Sequence, residues 1–89
     1  MEKIKVTIRY WLCNDIGWDE CEDYYNKHYK DIGGGGVVGY DDGIISYDTI
    51  ANVMIREGDR IGTKIGYGIV NWISYDIESN HLTIVFEEE

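Results

Sequence analysis

The sequence predicts a single α+β domain over residues 1–89, mainly antiparallel β-sheet or a partly open small barrel, with one helix at 19–31. Three observations predict it. The chain has 14 Ile and 6 Val against 2 Leu and 1 Ala, with 8 Tyr and 3 Trp. β-Branched and aromatic side chains suit pleated strands, whereas Leu and Ala are the best apolar helix formers. Residues 3–13 alternate apolar and polar with the period of a half-buried strand. Only one segment carries a helical period with end signals. At 89 residues the chain is too short for two cores, and nearly every large apolar side chain must be used.

In the strand at 3–13, Ile4, Val6, Ile8, Tyr10 and Leu12 share one face. Lys3, Lys5, Thr7, Arg9 and Trp11 share the other, the one basic stripe in the sequence. Residues 14–18 read as a turn. Asp19 then reads as the N-cap of the helix, with Glu22 three residues on completing a capping box. Lys27 and Lys30 fall in the last turn, where the helix dipole favours cations. Cys21, Tyr24, Tyr25, His28, Tyr29 and Ile32 form its inner face, and Gly33 reads as its C-terminal cap. The run Gly33–Gly36 reads as a connection from helix to strand. A phosphate loop runs from strand into helix, and here the order is reversed and the flanks are acidic.

From residue 37 the pattern is short strands and tight turns. Val37–Tyr40 and Ile44–Tyr47 flank Asp41-Asp42-Gly43, a hairpin signal. Further strands are expected at 50–55, 61–66, 67–75 and 81–87, with turns at 57–59 and 76–80 and a solvated tail at 87–89. The sequence contains no Pro, so its turns rest on Gly, Asn and Asp.

The stretch 53–86 reads V-M-I-R-E-G-D-R-I-G, then G-Y-G-I-V-N-W-I, then H-L-T-I-V-F. It resembles the SH3-like small barrels of bacterial and phage proteins, with their V-x-x-G-D-x-V opening, G-x-G-x-V strand and L-x-V-x-F closing strand. The resemblance covers about a third of the chain and implies a barrel-like second half.

The formal charge is −9, from 17 acidic and 8 basic residues. That opposes direct nucleic-acid binding and a polybasic membrane contact. No run of about 18 apolar residues marks a membrane span. The start of the sequence lacks a secretory pattern, so the expected location is the cytoplasm of a bacterial host. Neither cysteine pairs into a CxxC or a zinc-ligand spacing, so Cys13 and Cys21 are expected to be reduced thiols. His28 and His81 stand at no nucleophile motif. Asp41, Asp42 and Asp48 lack the EF-hand spacing. The sequence therefore implies no catalytic residues, no cofactor and no metal.

Five acids lie within nine residues: Asp15, Asp19, Glu20, Glu22 and Asp23. A helix dipole favours some of them but does not require so many. Carboxylates on a small rigid scaffold suit a basic partner protein, with aromatic anchors such as Trp18 and Tyr40 and a second patch at Asp41 and Asp42. Small acidic phage proteins that inhibit nucleases and defence systems, anti-CRISPR proteins among them, resemble this chain in size and charge. The implied function is inhibition of a basic, nucleic-acid-handling bacterial defence protein. Two rivals stand beside it. One is a binder of a nucleotide-like small molecule at Gly33–Gly36 or on the Lys3, Lys5 and Arg9 face. The other is an SH3-like structural interaction module. A homodimer paired through the strand at 3–13 or through Val37-Val38 is a further expectation.

Overall fold

A computed structural model of the chain describes residues 3–32, 37–52 and 54–88. The elements are β1 (Ile4–Trp11), α1 (Cys13–Ile16), α2 (Trp18–His28), β2 (Gly39–Asp41), β3 (Ile44–Ala51), β4 (Arg60–Thr63), β5 (Gly66–Asp76) and β6 (His81–Glu88). The strands form one six-stranded mixed sheet in the order β2-β3-β1-β6-β5-β4. All neighbours are antiparallel except β1 and β6, which run parallel with Ile8 opposite Ile84.

The alternation of 3–13 survives as the central strand, with Val6, Ile8 and Tyr10 buried. Because β3 and β6 flank β1 on both sides, it offers no free edge, and dimerisation by pairing through this strand is ruled out in this fold. At the other expected pairing site, Val38 is fully buried and Val37 is 81% exposed. The core is completed by Ile45, Val70, Leu82, Ile84 and Phe86 from the sheet, and by Leu12, Val38, Cys21 and Ile65.

The Asp42-Gly43 hairpin forms as the sequence implies. Both residues have positive φ, 51° and 83°, as a two-residue type I′ turn requires. The strand expected at 50–55 is instead the end of β3, which runs unbroken from Ile44 to Ala51. The expected tail at 87–89 is also structured as far as Glu88, which ends β6.

The sheet is open, not closed into a barrel, but it is strongly coiled. The tip of the β4–β5 hairpin reaches over the core face, and the Lys64 N–H donates to the Tyr47 hydroxyl on β3 at 3.2 Å. β3 and β5 are three strand spacings apart, roughly 14 Å on a flat sheet. Bending is assisted by the irregularity between Val70 and Trp72 and by Gly68, whose missing Cβ leaves room for the Glu87 carbonyl. Ile65, at the hairpin tip, is thereby buried.

The helical part differs from expectation in three ways. Residues 13–16, expected as strand end and turn, form a one-turn helix. The main helix spans Trp18–His28, not 19–31. Its N-cap is Gly17, with no side-chain capping bond, so Asp19 lies inside the first turn and the capping box does not form. The cause is α1: Gly17 at φ 81° joins the two helices and fixes where the second begins. The glycine run at 33–36 lies outside the described residues, and with it the expected cap at Gly33. Among the described residues, no helix is long and apolar enough to cross a membrane.

Candidate functional site

The acidic residues divide into two places. The first is a shoulder where α2 meets the β2–β3 turn. Cys13 N–H donates to the Gly43 carbonyl at 3.1 Å, and the Cys21 thiol approaches the same oxygen at 3.8 Å. A Cβ on Gly43 would meet the Cys13 sulfur at 2.8 Å and the Trp18 ring at 3.0 Å. The turn carrying Asp41 and Asp42 is thus clamped beside Trp18, which remains 61% exposed. Tyr40 stacks on Tyr25 at 5.3 Å, and the Tyr25 hydroxyl donates to the Val38 carbonyl at 2.6 Å. Desolvation first, then contact with Cys21, push the Tyr40 hydroxyl above the ordinary tyrosine value, and the Glu22 charge adds to the shift. Helical spacing puts Asp19 and Asp23 on the outward ridge with Glu20 beyond it, and all are exposed. The Gly43 contact thus brings the turn carrying Asp41 and Asp42 beside Trp18, the first residue of the helix that carries the acids at 19–23.

No protein-family model matches the sequence, and comparison with curated proteins and with solved structures returns no match. The functional reading rests on the geometry.

Asp15 does not belong to the shoulder. It lines a cavity together with Glu88 at the end of β6, and Glu88 accepts from the Tyr10 hydroxyl at 3.3 Å. Desolvation first, then the charge of Glu88, hold Asp15 above the usual carboxylate range. The cavity, of about 130 Å³, has Tyr10, Tyr24, Tyr29, Tyr67 and Phe86 in its lining beside aliphatic side chains. Sequence reading treated Glu88 as tail and so missed this pairing; nothing local in 87–89 signals it.

The sheet face away from the core carries no covering layer among the described elements. Register sets Arg9, Val85 and Trp72 in one row across β1, β6 and β5. Trp11 and Trp72 are 50% and 48% exposed there, and they line a groove of about 570 Å³ with Arg9, Asn14 and Asn71. The outward placement of Trp11 and Arg9 follows from alternation, but that of Trp72 required the β5 irregularity. On the same face the Thr7 hydroxyl donates to Asp48 at 2.6 Å, so it accepts from His81 Nε2, also at 2.6 Å. Thr7 stands between acid and imidazole, whereas a nucleophile triad needs the imidazole in the middle. His28, expected on the inner face, is exposed and packs on Tyr24 at 4.3 Å. Cys13 and Cys21 are both buried thiols.

Proposed function

We propose that the protein works by binding a basic partner protein through the acidic shoulder, as an inhibitor that occupies a surface made for nucleic-acid phosphates. The observation that carries this reading is the clamping of the Asp41–Gly43 turn beside Trp18 and the acidic start of α2. It supplies an aromatic anchor beside the turn carrying Asp41 and Asp42, on the same helix as Asp19 and Glu22. Aromatic anchors concentrate binding energy, and surrounding charges set partner choice and association rate. A phosphate-binding groove in a bacterial nuclease or defence effector has the complementary sign.

The test is affinity capture from low-GC bacterial lysate at low and high salt, followed by an activity assay on any nuclease recovered. The reading expects a basic partner held at low salt, inhibited by the protein, and lost on replacing Asp19, Glu22, Asp41 and Asp42 by their amides. Binding that ignores both salt and those substitutions removes it.

A second reading has its own observation. The Trp11–Trp72 groove lies within the roughly 300–1,000 Å³ typical of ligand pockets, and Arg9 gives it one cation beside two stacking surfaces, with the carboxyls of Asp15, Glu87 and Glu88 also in its lining. The two rings and Arg9 support a nucleotide-like small ligand, against the opposing charge of those carboxyls. Quenching of tryptophan fluorescence by a nucleoside monophosphate, abolished by Trp72→Ala, favours this reading over the first.

A further inference from the structure

Asp15 and Glu88 present two carboxyl groups to one cavity. Among the described residues lining that cavity, none is basic. The floor is Tyr10 and Phe86, buried and packed ring to ring at 4.9 Å with planes inclined by 31°. One wall is Tyr24 and Tyr29 on and just after α2, with centroids 5.9 Å apart and planes inclined by 45°. Tyr67 stands at the rim and is largely exposed. Carboxyl groups and several aromatic side chains in one lining both favour a cation.

The kind of cation follows from the lining. A divalent metal ion takes six or more oxygen ligands, or a closed set of nitrogen and sulfur donors. Among the described residues, no three His, Cys, Asp or Glu side chains converge. A bulky, weakly hydrated ammonium asks less of oxygen ligands and more of ring faces. At about 130 Å³ and open to solvent on one side, the cavity admits a small alkylated ammonium.

We propose that this cavity is a binding site for an alkylated ammonium head group, held by the Asp15 and Glu88 carboxyls and enclosed by Tyr10, Tyr24, Tyr29 and Phe86. The Tyr10 hydroxyl, by donating to Glu88, orients that carboxylate toward the cation. The head group belongs either to a free small molecule or to a methylated lysine of a protein. The site is independent of the shoulder at Trp18, so either can fail without the other.

The experiment is an NMR titration of the full chain with choline chloride, followed on the amides of Asp15, Gly66 and Glu88 and on the tyrosine ring signals. Parallel titrations use 3,3-dimethylbutan-1-ol, the uncharged isostere, and sodium chloride at matched ionic strength. Choline is expected to give saturable shifts confined to these residues, with no such response to the isostere or the salt. The double variant Asp15→Asn, Glu88→Gln should weaken choline by about tenfold or more, equivalent to roughly 1.4 kcal/mol. Tyr24→Leu, at a half-exposed wall, should weaken it about threefold, as one ring-face contact would. A peptide bearing trimethyllysine that binds more tightly than choline assigns the head group to a protein, and the reverse order assigns it to a small molecule. Equal binding of the isostere, shifts reproduced by sodium chloride, or no change in the double variant overturns the proposal.

Discussion

The hydroxyl of Tyr47 on β3 accepts a hydrogen bond from the backbone N–H of Lys64, at the tip of a hairpin three strands away. The Lys64 ammonium also lies 5.2 Å from the centre of the same ring. This one side chain therefore ties the two ends of the coiled sheet. Tyr47→Phe keeps the ring and loses the hydroxyl, so it should cost about 0.5–1.5 kcal/mol, the net worth of one hydrogen bond. Urea denaturation of the two proteins measures it, and amide exchange at Lys64 should accelerate in the variant.

Gly68 has no room for a side chain. A Cβ there would overlap the Glu87 carbonyl on β6 and stand 2.9 Å from the Phe86 ring. The obstruction is backbone, which moves only by opening the β5–β6 ladder. Gly68→Ala should therefore destabilise the fold by about 1–3 kcal/mol or more, in the range of other overpacked sites. Thermal unfolding checks this, with Gly58→Ala as a control for loss of a glycine where no atom lies close; that control carries only the backbone cost of its φ of 92°.

Asp15 gives a pH signature of definite sign. Its folded pKa is raised from the ordinary 3.8, by desolvation first and Glu88 second. Between the ordinary and the raised value the folded state holds more protons than the unfolded state, so stability falls as pH rises through that window. Asp15→Asn removes the titration. The variant should be more stable than the parent at neutral pH, and the difference should disappear below the ordinary carboxylate range. Paired melting curves across acid and neutral pH test it.

Both thiols should be silent in the native state. Cys21 is fully buried, and desolvation, its largest influence, raises its pKa above the ordinary thiol value. Low exposure slows attack on a disulfide reagent at both thiols, and low thiolate content slows it further at Cys21. An Ellman assay should find neither Cys13 nor Cys21 reactive in the folded protein and both reactive in denaturant. Rapid native labelling of either would contradict the packing of the α1–α2 corner against Gly43.

Trp18 separates binding from folding. At 61% exposed it adds little to the core, so Trp18→Ala should change stability by about 0.5 kcal/mol or less, as surface substitutions generally do. If the shoulder is the partner surface, the same change should cause most of the loss of binding. Calorimetric unfolding read beside partner capture distinguishes the two effects.

Much of this fold was legible in the sequence because its signals are local. Alternation in 3–13 identified β1 and its buried face, since successive side chains on a strand must point to opposite sides. Asp42-Gly43 specified a turn because few residue pairs accept two positive φ values. The helical period at 21–29 marked α2 and its exposed acids. Its start was misplaced because Gly17 ends α1, and Asp19, a good cap by composition, was never offered the capping position. The central position of β1 was not legible, because strand order depends on which edges meet and not on any one strand's pattern.

The sequence by itself determined the β-rich composition, the strand faces, the turn chemistry and the acidity of α2. Only the tertiary structure decided how the ends of these elements meet. It set the Asp41–Gly43 turn beside Trp18, carried Lys64 to Tyr47, and brought Asp15 against Glu88 across 73 residues of chain. The physical reason is range. Backbone sterics and side-chain alternation act over a few residues and can be read from neighbours. Contacts between distant segments arise from the coiling of the whole sheet over one shared core, and no short window of sequence encodes them.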